Sequence, residues 1–416
     1  MRSEAQELKL STEERAMLAG EAGPAIRKAM EIIVALGKIY GAADLVPVQS
    51  VQVAGVSYKN LGDAGLEFLR SWADQGARAV VRTTLNPAGM DMLRWAEHGI
   101  PQSFAQSQQA VVDAFCQMGI ELTLTCTPYY VGNRPAFGDH LAWSESSAVS
   151  FANSILGART NREGGPSALA AAFAGRTARY GLHLVENRRA THLVDVRCGI
   201  NSLADLGALG AIVGKWAQGG VPYFRPLALD WAAYPEDVLK SLGAAMAASG
   251  AVGLYHIQGI TPEADEPGAL RHIRIRLTVA HLDAGYEMLN GPMDQIDFVS
   301  LGCPHASLDE LREIASWLEG KQVQTLLWVT VAGAVRDEAE WLGYVGQIEA
   351  AGGHVVADTC LVVAPVQALN AHSLATNSAK AALYARSHSG LETRFGSTAQ
   401  CLEAAVTGVW KGKGAS

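Results

Sequence analysis

The chain has 416 residues, 49% apolar and 18% charged, with a formal charge of −8. That length suits about two or three domains with sizeable cores. The negative balance argues against nucleic acid as the main partner.

The N-terminus, MRSEAQELKLSTEERAMLAGEAG, is charged and lacks the apolar core of a signal peptide. The longest uncharged stretch, Ser241 to Pro262, is interrupted by Gly, Ser, His and Gln, so no membrane span is expected. A cytoplasmic location follows as an expectation, with the six cysteines reduced and available for metal or catalysis.

Ser11 and Glu14 stand at capping-box spacing, so helices begin near residue 11. Residues 45–58 read as a strand and 60–76 as an amphipathic helix closed by glycine. Residues 77–87 form the next expected strand, followed by a helix around Met90 to His98, a helix over 103–119 and a strand over 120–130. The stretch 131–166 is polar and glycine-rich and reads as a long irregular loop with a function of its own. A helix is expected over 167–181, with Pro166 at its start.

From 201 to 295 small-residue helices mix with short strands, which suggests a separate middle domain. From 296 the alternation resumes with IDFVSLGCPH, SLDELREIASWLEG, VQTLLWVTVA, RDEAEWLGYVGQIEAAGG and HVVADTCLVVAP. The expected fold is α/β with mostly parallel sheets, divided into 1–200, 201–295 and 296–416.

Three cysteines, Cys126, Cys303 and Cys360, fall at or near the ends of expected strands. Ligands of open α/β sheets bind outside the carboxyl ends of strands, so these thiols could converge. Three thiolates are a soft ligand set suited to iron–sulfur or zinc, and they leave a metal position open for a Lewis acid. Buried cysteine is more often a small hydrophobe, which is the reading for Cys116 and Cys401 in helix patterns. The loop adds SESSA at 144–148 and Asn161, Arg162 and Glu163 before a Gly-Gly turn and helix start, a pattern suited to gripping anions. Ordinary capping and a surface ion pair would look the same.

The segments LSTEERAMLAGEAG, GVSYKNLGDAGLEFL, TTLNPAGMD, CTPYYVGNRPAFGDHLAWSESSAVSFANSILGARTNREGGP, SLGCPHAS, ADTC and TNSAKAALYA together resemble the large catalytic component of the aconitase X family. The resemblance runs from about residue 11 to 410. It implies an aconitase-like tandem α/β fold and a hydro-lyase that removes water from a β-hydroxy carboxylate. It implies an iron–sulfur cluster, 2Fe–2S favoured, with 4Fe–4S or mononuclear iron as alternatives, on Cys126, Cys303 and Cys360. Glu163, Lys380 and Ser57 become the catalytic candidates, and Asn86, Ser144, Glu145, Asn161 and Arg162 the substrate-binding ones.

The sequence leaves no room for the family's swivelling domain, so the resemblance implies a separate small swivelling subunit carrying a catalytic serine. Cis-3-hydroxy-L-proline is the favoured substrate, because a 5-phosphate calls for extra basic residues and the Asn161–Glu163 motif shows one arginine. Mevalonate 5-phosphate is the alternative. Readings from other classes are a metal-free enzyme using Cys126 or Cys303 as nucleophile with His305 as base, and a non-catalytic binding subunit.

Overall fold

The structure is a computed structural model and describes residues 7–227 and 235–412. Strand pairing divides the chain by sheet. The first part contains α1 (Thr12–Ala19), α2 (Pro24–Tyr40), β1 (Leu45–Pro47), β2 (Ser50–Val53), α3 (Tyr58–Asp74), β3 (Arg82–Leu85) and α4 (Gln102–Gln117). It continues with β4 (Leu141–Trp143), α5 (Ser146–Ser154), α6 (Gly165–Ala174) and β5 (Arg176–Ala178). β2 lies between β3 and β4, all parallel, while β1 and β5 form a separate antiparallel pair. The Ser11–Glu14 capping box forms in both directions at the start of α1.

The middle part has β6 (His192–Val196), α7 (Leu203–Ala217), β7 (Pro222–Phe224), α8 (Pro235–Gly250), β8 (His256–Ile257), β9 (Ile275–Val279) and α9 (Asp283–Leu289). Its sheet runs β8-β7-β6-β9, all parallel. The last part has β10 (Phe298–Ala306), α10 (Leu308–Leu318), β11 (Leu326–Val331), α11 (Gly333–Trp341), α12 (Tyr344–Ala350) and β12 (His354–Ala357). Then come β13 (Ser373–Thr376), α13 (Ala379–Tyr384), β14 (Glu392–Phe395) and α14 (Thr398–Thr407). Its parallel order is β12-β11-β10-β13-β14. The fold is therefore the tandem α/β arrangement expected. Among the described residues no helix is long and apolar enough to cross a membrane.

Four local expectations are corrected. Residues 90–98 form turns, because the Asp91 carboxylate accepts from the N–H groups of Leu93 and Arg94 and closes a local turn. Residues 120–130 are not a strand. Glu121 makes one isolated bridge to Thr84, then the Thr123 hydroxyl takes the Leu85 N–H and Leu124 turns left-handed at φ 42°.

The loop 131–166 contains β4 and α5, and every residue of both is buried. Its polar composition hid this, since side chains such as Asn153 bond to the Thr160 backbone at 3.0 and 2.9 Å. The helix expected over 167–181 ends at Ala174, where Gly175 takes the left-handed cap and β5 follows.

Candidate active site at the strand ends

In the last sheet the chain leaves β10 toward β11 and β12, then returns to the other side of β10 with β13 and β14. The gap outside the carboxyl ends of β10 and β13 is therefore a topological switch point, the usual place for a ligand in such sheets. Cys303 lies where the β10 ladder is interrupted, between Leu301 and Ala306. Lys380 follows β13, and Cys360 follows β12. The first sheet turns its own strand ends to the same region, with Ser57 after β2, Asn86 after β3 and Ser144 and Glu145 after β4. Hydrogen bonds cross between the two groups throughout.

Cys126 and Cys360 are buried and Cys303 is partly so. Burial pushes all three thiols up, Cys360 to about 12, and each pair of thiols opposes the other's ionisation. Lys380 pulls all three the other way. Among the described residues no three His, Cys, Asp or Glu side chains stand close enough to hold one metal ion. The donor chemistry nonetheless fits a metal group. Three soft sulfurs lie within electrostatic reach of one another in desolvated surroundings, and a bound cation is what would deprotonate and reconcile them.

Lys380 pairs with Glu145, and both side chains are nearly sealed from solvent. Glu145 caps α5 and accepts from the Ser147 N–H and hydroxyl at 3.3 and 3.1 Å and from Asn86 Nδ2 at 3.0 Å. Burial alone would raise its pKa, yet Lys380 and these donors hold it at about 2. Glu145 in turn raises Lys380 further above its ordinary value despite burial. The pair is thus fixed in its charged form. Among the described residues, Asn86 Oδ1 and the Ser144 hydroxyl have no hydrogen-bond partner although both atoms are buried.

The other candidates fall into two groups. Ser57 donates to the Val363 carbonyl at 2.8 Å, so its hydroxyl braces two segments 306 residues apart. Asn161 is tied to the Tyr180 carbonyl at 3.1 Å and the Leu182 N–H at 2.8 Å, a backbone pin rather than an open donor. Arg162, by contrast, is exposed and lines a cavity of about 480 Å³ together with Ser144, Glu163 and the Gly164–Gly165 turn. Glu163 is buried, accepts from Ser167 Oγ at 2.6 Å and Thr177 Oγ1 at 3.2 Å, and is pushed up by burial.

His305 takes a different role from the base expected of it, and Lys59 escaped the sequence reading. His305 is fully buried and joins all three cysteine-bearing segments. Its Nε2–H donates to the Thr359 carbonyl at 2.9 Å, its Nδ1 accepts from the Thr125 hydroxyl at 2.9 Å, and its backbone N–H donates to Cys126 Sγ at 3.2 Å. Both ring nitrogens are spent, so the base required by a nucleophilic Cys303 is not available. Lys59, on the first turn of α3, donates to the Ala364 carbonyl at 2.9 Å and lies within electrostatic reach of Cys360. VSYKN shows a lysine in that turn, but only the fold brings it to the thiols.

Comparison with known proteins identifies the family. The family model described as aconitase X first domain matches residues 7–186, the second domain 190–287 and the third domain 296–407. A phosphomevalonate dehydratase large subunit from Methanothermobacter thermautotrophicus is 52% identical over 92% of this chain and 95% of its own. A cis-3-hydroxy-L-proline dehydratase from Pseudomonas aeruginosa is 35% identical over 96% of this chain and 70% of its own. The crystal structure of holo-form aconitase X from Thermococcus kodakaraensis superposes with a TM-score of 0.88 at 49% identity, covering 95% of this chain and all of that one. The chain belongs to the aconitase X family.

Proposed function

We propose that the chain is the large subunit of a dehydratase acting on mevalonate 5-phosphate. The observation that carries the substrate is the 52% identity to a phosphomevalonate dehydratase large subunit over 92% of the chain, against 35% to a cis-3-hydroxy-L-proline dehydratase. The single arginine of the Asn161–Glu163 motif is what speaks for the latter substrate. Lys59 supplies a second cation from a distant segment, which removes that argument.

The reaction takes a proton from the carbon α to the carboxylate and the hydroxyl from the β carbon, leaving a double bond and water. Cys126, Cys303 and Cys360 would hold an iron–sulfur group, which when bound supplies a Lewis acid for the leaving hydroxyl. This chain's residues do the rest of the holding. Lys380, kept cationic by Glu145, faces the negative charge that develops as the α proton leaves. Asn86 Oδ1 and the Ser144 hydroxyl, buried without partners, are open to polar groups of a substrate. Glu163 is raised by burial, and both of its oxygens accept from the Ser167 and Thr177 hydroxyls, which favours a positioning role over that of the base. The serine of a small swivelling subunit is then the candidate base. The large-subunit name of the relative supports such a partner.

The three domains of this reading meet near 200 and 295, the first of these boundaries shifted toward the N-terminus. β6 pairs only with strands of the middle part, which favours a boundary nearer 190.

The test is anaerobic purification with a small subunit, then iron and sulfide analysis and assay of both substrates by NMR. Dehydration of mevalonate 5-phosphate, with iron and sulfide lost in Cys303→Ala, supports the reading. Turnover of cis-3-hydroxy-L-proline alone replaces the substrate, and protein that never takes up metal removes the cofactor.

A further inference from the structure

A second cavity, of about 190 Å³, shares no lining residue with the one at Arg162. It lies between the segment that follows α5, the residues just before β6 and the segment that follows β8. Its walls carry Arg159, Arg188, Arg189 and His256, against Glu263 and Glu266. Sites for drug-sized molecules run to roughly 300–1,000 Å³, so this one suits a small ion.

The charges in these walls do not cancel. Arg188 is committed: it grips Glu263 and donates to Asn153 Oδ1 at 3.0 Å and to the Leu182 carbonyl at 3.1 Å. Among the described residues Arg159 and Arg189 have no carboxylate within ion-pair distance, and Arg189 reaches only His272 Nε2, at 3.4 Å. The Nε of Arg159 is buried and has no hydrogen-bond partner among the described residues. Glu266, the remaining carboxylate, is exposed to solvent. Burial first, and then neighbouring cations that include Arg159 and Arg188, hold the stacked His140 and His183 below their ordinary range. The local field is therefore positive.

His256 supplies the selective feature. It is 1% exposed, and its Nε2–H donates to the Arg188 carbonyl at 2.8 Å. Burial keeps the ring neutral, so that bond leaves Nδ1 as a bare acceptor. Nδ1 is buried and has no partner among the described residues. An empty buried acceptor is costly, so the cavity calls for a ligand that accepts from arginines and also donates to a nitrogen. Among simple oxyanions, sulfate and phosphomonoester dianions only accept. Hydrogen phosphate keeps one O–H beside its charged oxygens.

We propose that this cavity is an anion site separate from the substrate site, and that it binds inorganic hydrogen phosphate. Arg159 and Arg189 donate to its charged oxygens, and His256 Nδ1 accepts its O–H. Guanidinium forks match the tetrahedral oxygens, and the histidine tells the ion from sulfate by the proton it retains. The wall behind the site is rigid. Arg188 bonds both the side chain and the carbonyl of Asn153, and Asn153 in turn holds the N–H and carbonyl of Thr160, next to Arg159. The donors are thus set in place before the ion arrives.

The test is calorimetric titration of the anaerobically purified two-subunit enzyme at pH 8 and fixed ionic strength, with phosphate, sulfate and methyl phosphate. At that pH the monoester has lost its second proton, whose pKa is about 6. Titrations are repeated in Arg162→Gln, which removes anion binding at the other cavity. In that background phosphate should bind at least about 10-fold tighter than sulfate or methyl phosphate. Adding Arg189→Gln, at a half-buried position, should weaken phosphate at least about 10-fold. His256→Gln keeps a donor for the Arg188 carbonyl and should bring phosphate down to the level of sulfate, with the thermal midpoint reporting that the variant is folded.

Phosphate that fails to bind, that is lost in Arg162→Gln alone, or that binds equally after Arg189→Gln overturns the site. Sulfate or methyl phosphate bound as tightly as phosphate overturns the role of His256 and with it the identity of the ion. Turnover is not read in any of these titrations, so failure of the dehydratase reading would leave the result standing.

Discussion

The imidazole Nε2–H of His305 donates to the carbonyl of Thr359 at 2.9 Å, joining the residue before Cys360 to the strand that carries Cys303. The other ring nitrogen reaches Thr125, next to Cys126, and the carbonyl of His305 accepts from Lys240 Nζ at 3.2 Å. One buried side chain thus holds three cysteine segments in register. His305→Phe should remove both ring bonds, leave the Thr359 carbonyl and Thr125 hydroxyl unsatisfied, and cost about 2–5 kcal/mol. His305→Gln keeps a donor and should cost less. Iron bound per chain, measured beside urea unfolding, should fall in the Phe variant. Full iron loading in His305→Phe would show that the ring does not position the thiols.

The Glu145–Lys380 pair makes a second prediction. Glu145→Gln or Lys380→Met leaves one buried charge without its partner and should cost about 3–5 kcal/mol. The double variant should cost less than the sum, because neither charge remains. Chemical denaturation of the four proteins measures this, and additive losses would mean that the pair does not couple.

Gly302 makes a third. It sits at φ 86°, and a Cβ there would enter the Thr330 carbonyl oxygen on the neighbouring strand. Gly302→Ala should therefore displace the backbone just before Cys303, at a cost of about 1–3 kcal/mol. Its iron content should drop together with its thermal midpoint. A variant with wild-type values of both would mean that the strand has slack at this point.

Acid should destabilise the chain. His183 and His305 are buried, and burial pulls them down to about 3 and about 4. The unfolded chain takes a proton on each near pH 6.5, so below that the unfolded state binds more protons. Stability present above about pH 6.5 is then lost as pH falls toward the folded values, about 3 kcal/mol in full from His305. Asp358 opposes this, because burial and then Asp91 push it up to about 6. Urea midpoints should still fall from about pH 7 to about pH 5. A flat profile would mean that these histidines gain protons without opening the fold.

Some of this was decided by the sequence itself. Alternating apolar segments are enough for the strands and helices after residue 296, where β10, α10, β11 and β12 appear as expected. Those signals are local: Ser307 caps α10 through a box with Glu310, three residues away. That Cys303 falls at the interruption of β10 and Cys360 after β12 follows from the same periodicity. Cys126 comes within electrostatic reach of them for a different reason, since its segment is no strand and its neighbour Thr125 is held by the side chains of Gln52 and His305. Tertiary structure also decided that polar α5 is buried, that Ser57 is a brace and that Asn161 is a pin. The pairings Glu145–Lys380, Lys59–Ala364 and Thr125–His305 span 235, 305 and 180 residues. Local periodicity cannot encode contacts at that separation, because they exist only once parallel strands from two sheets turn their carboxyl ends to one cleft.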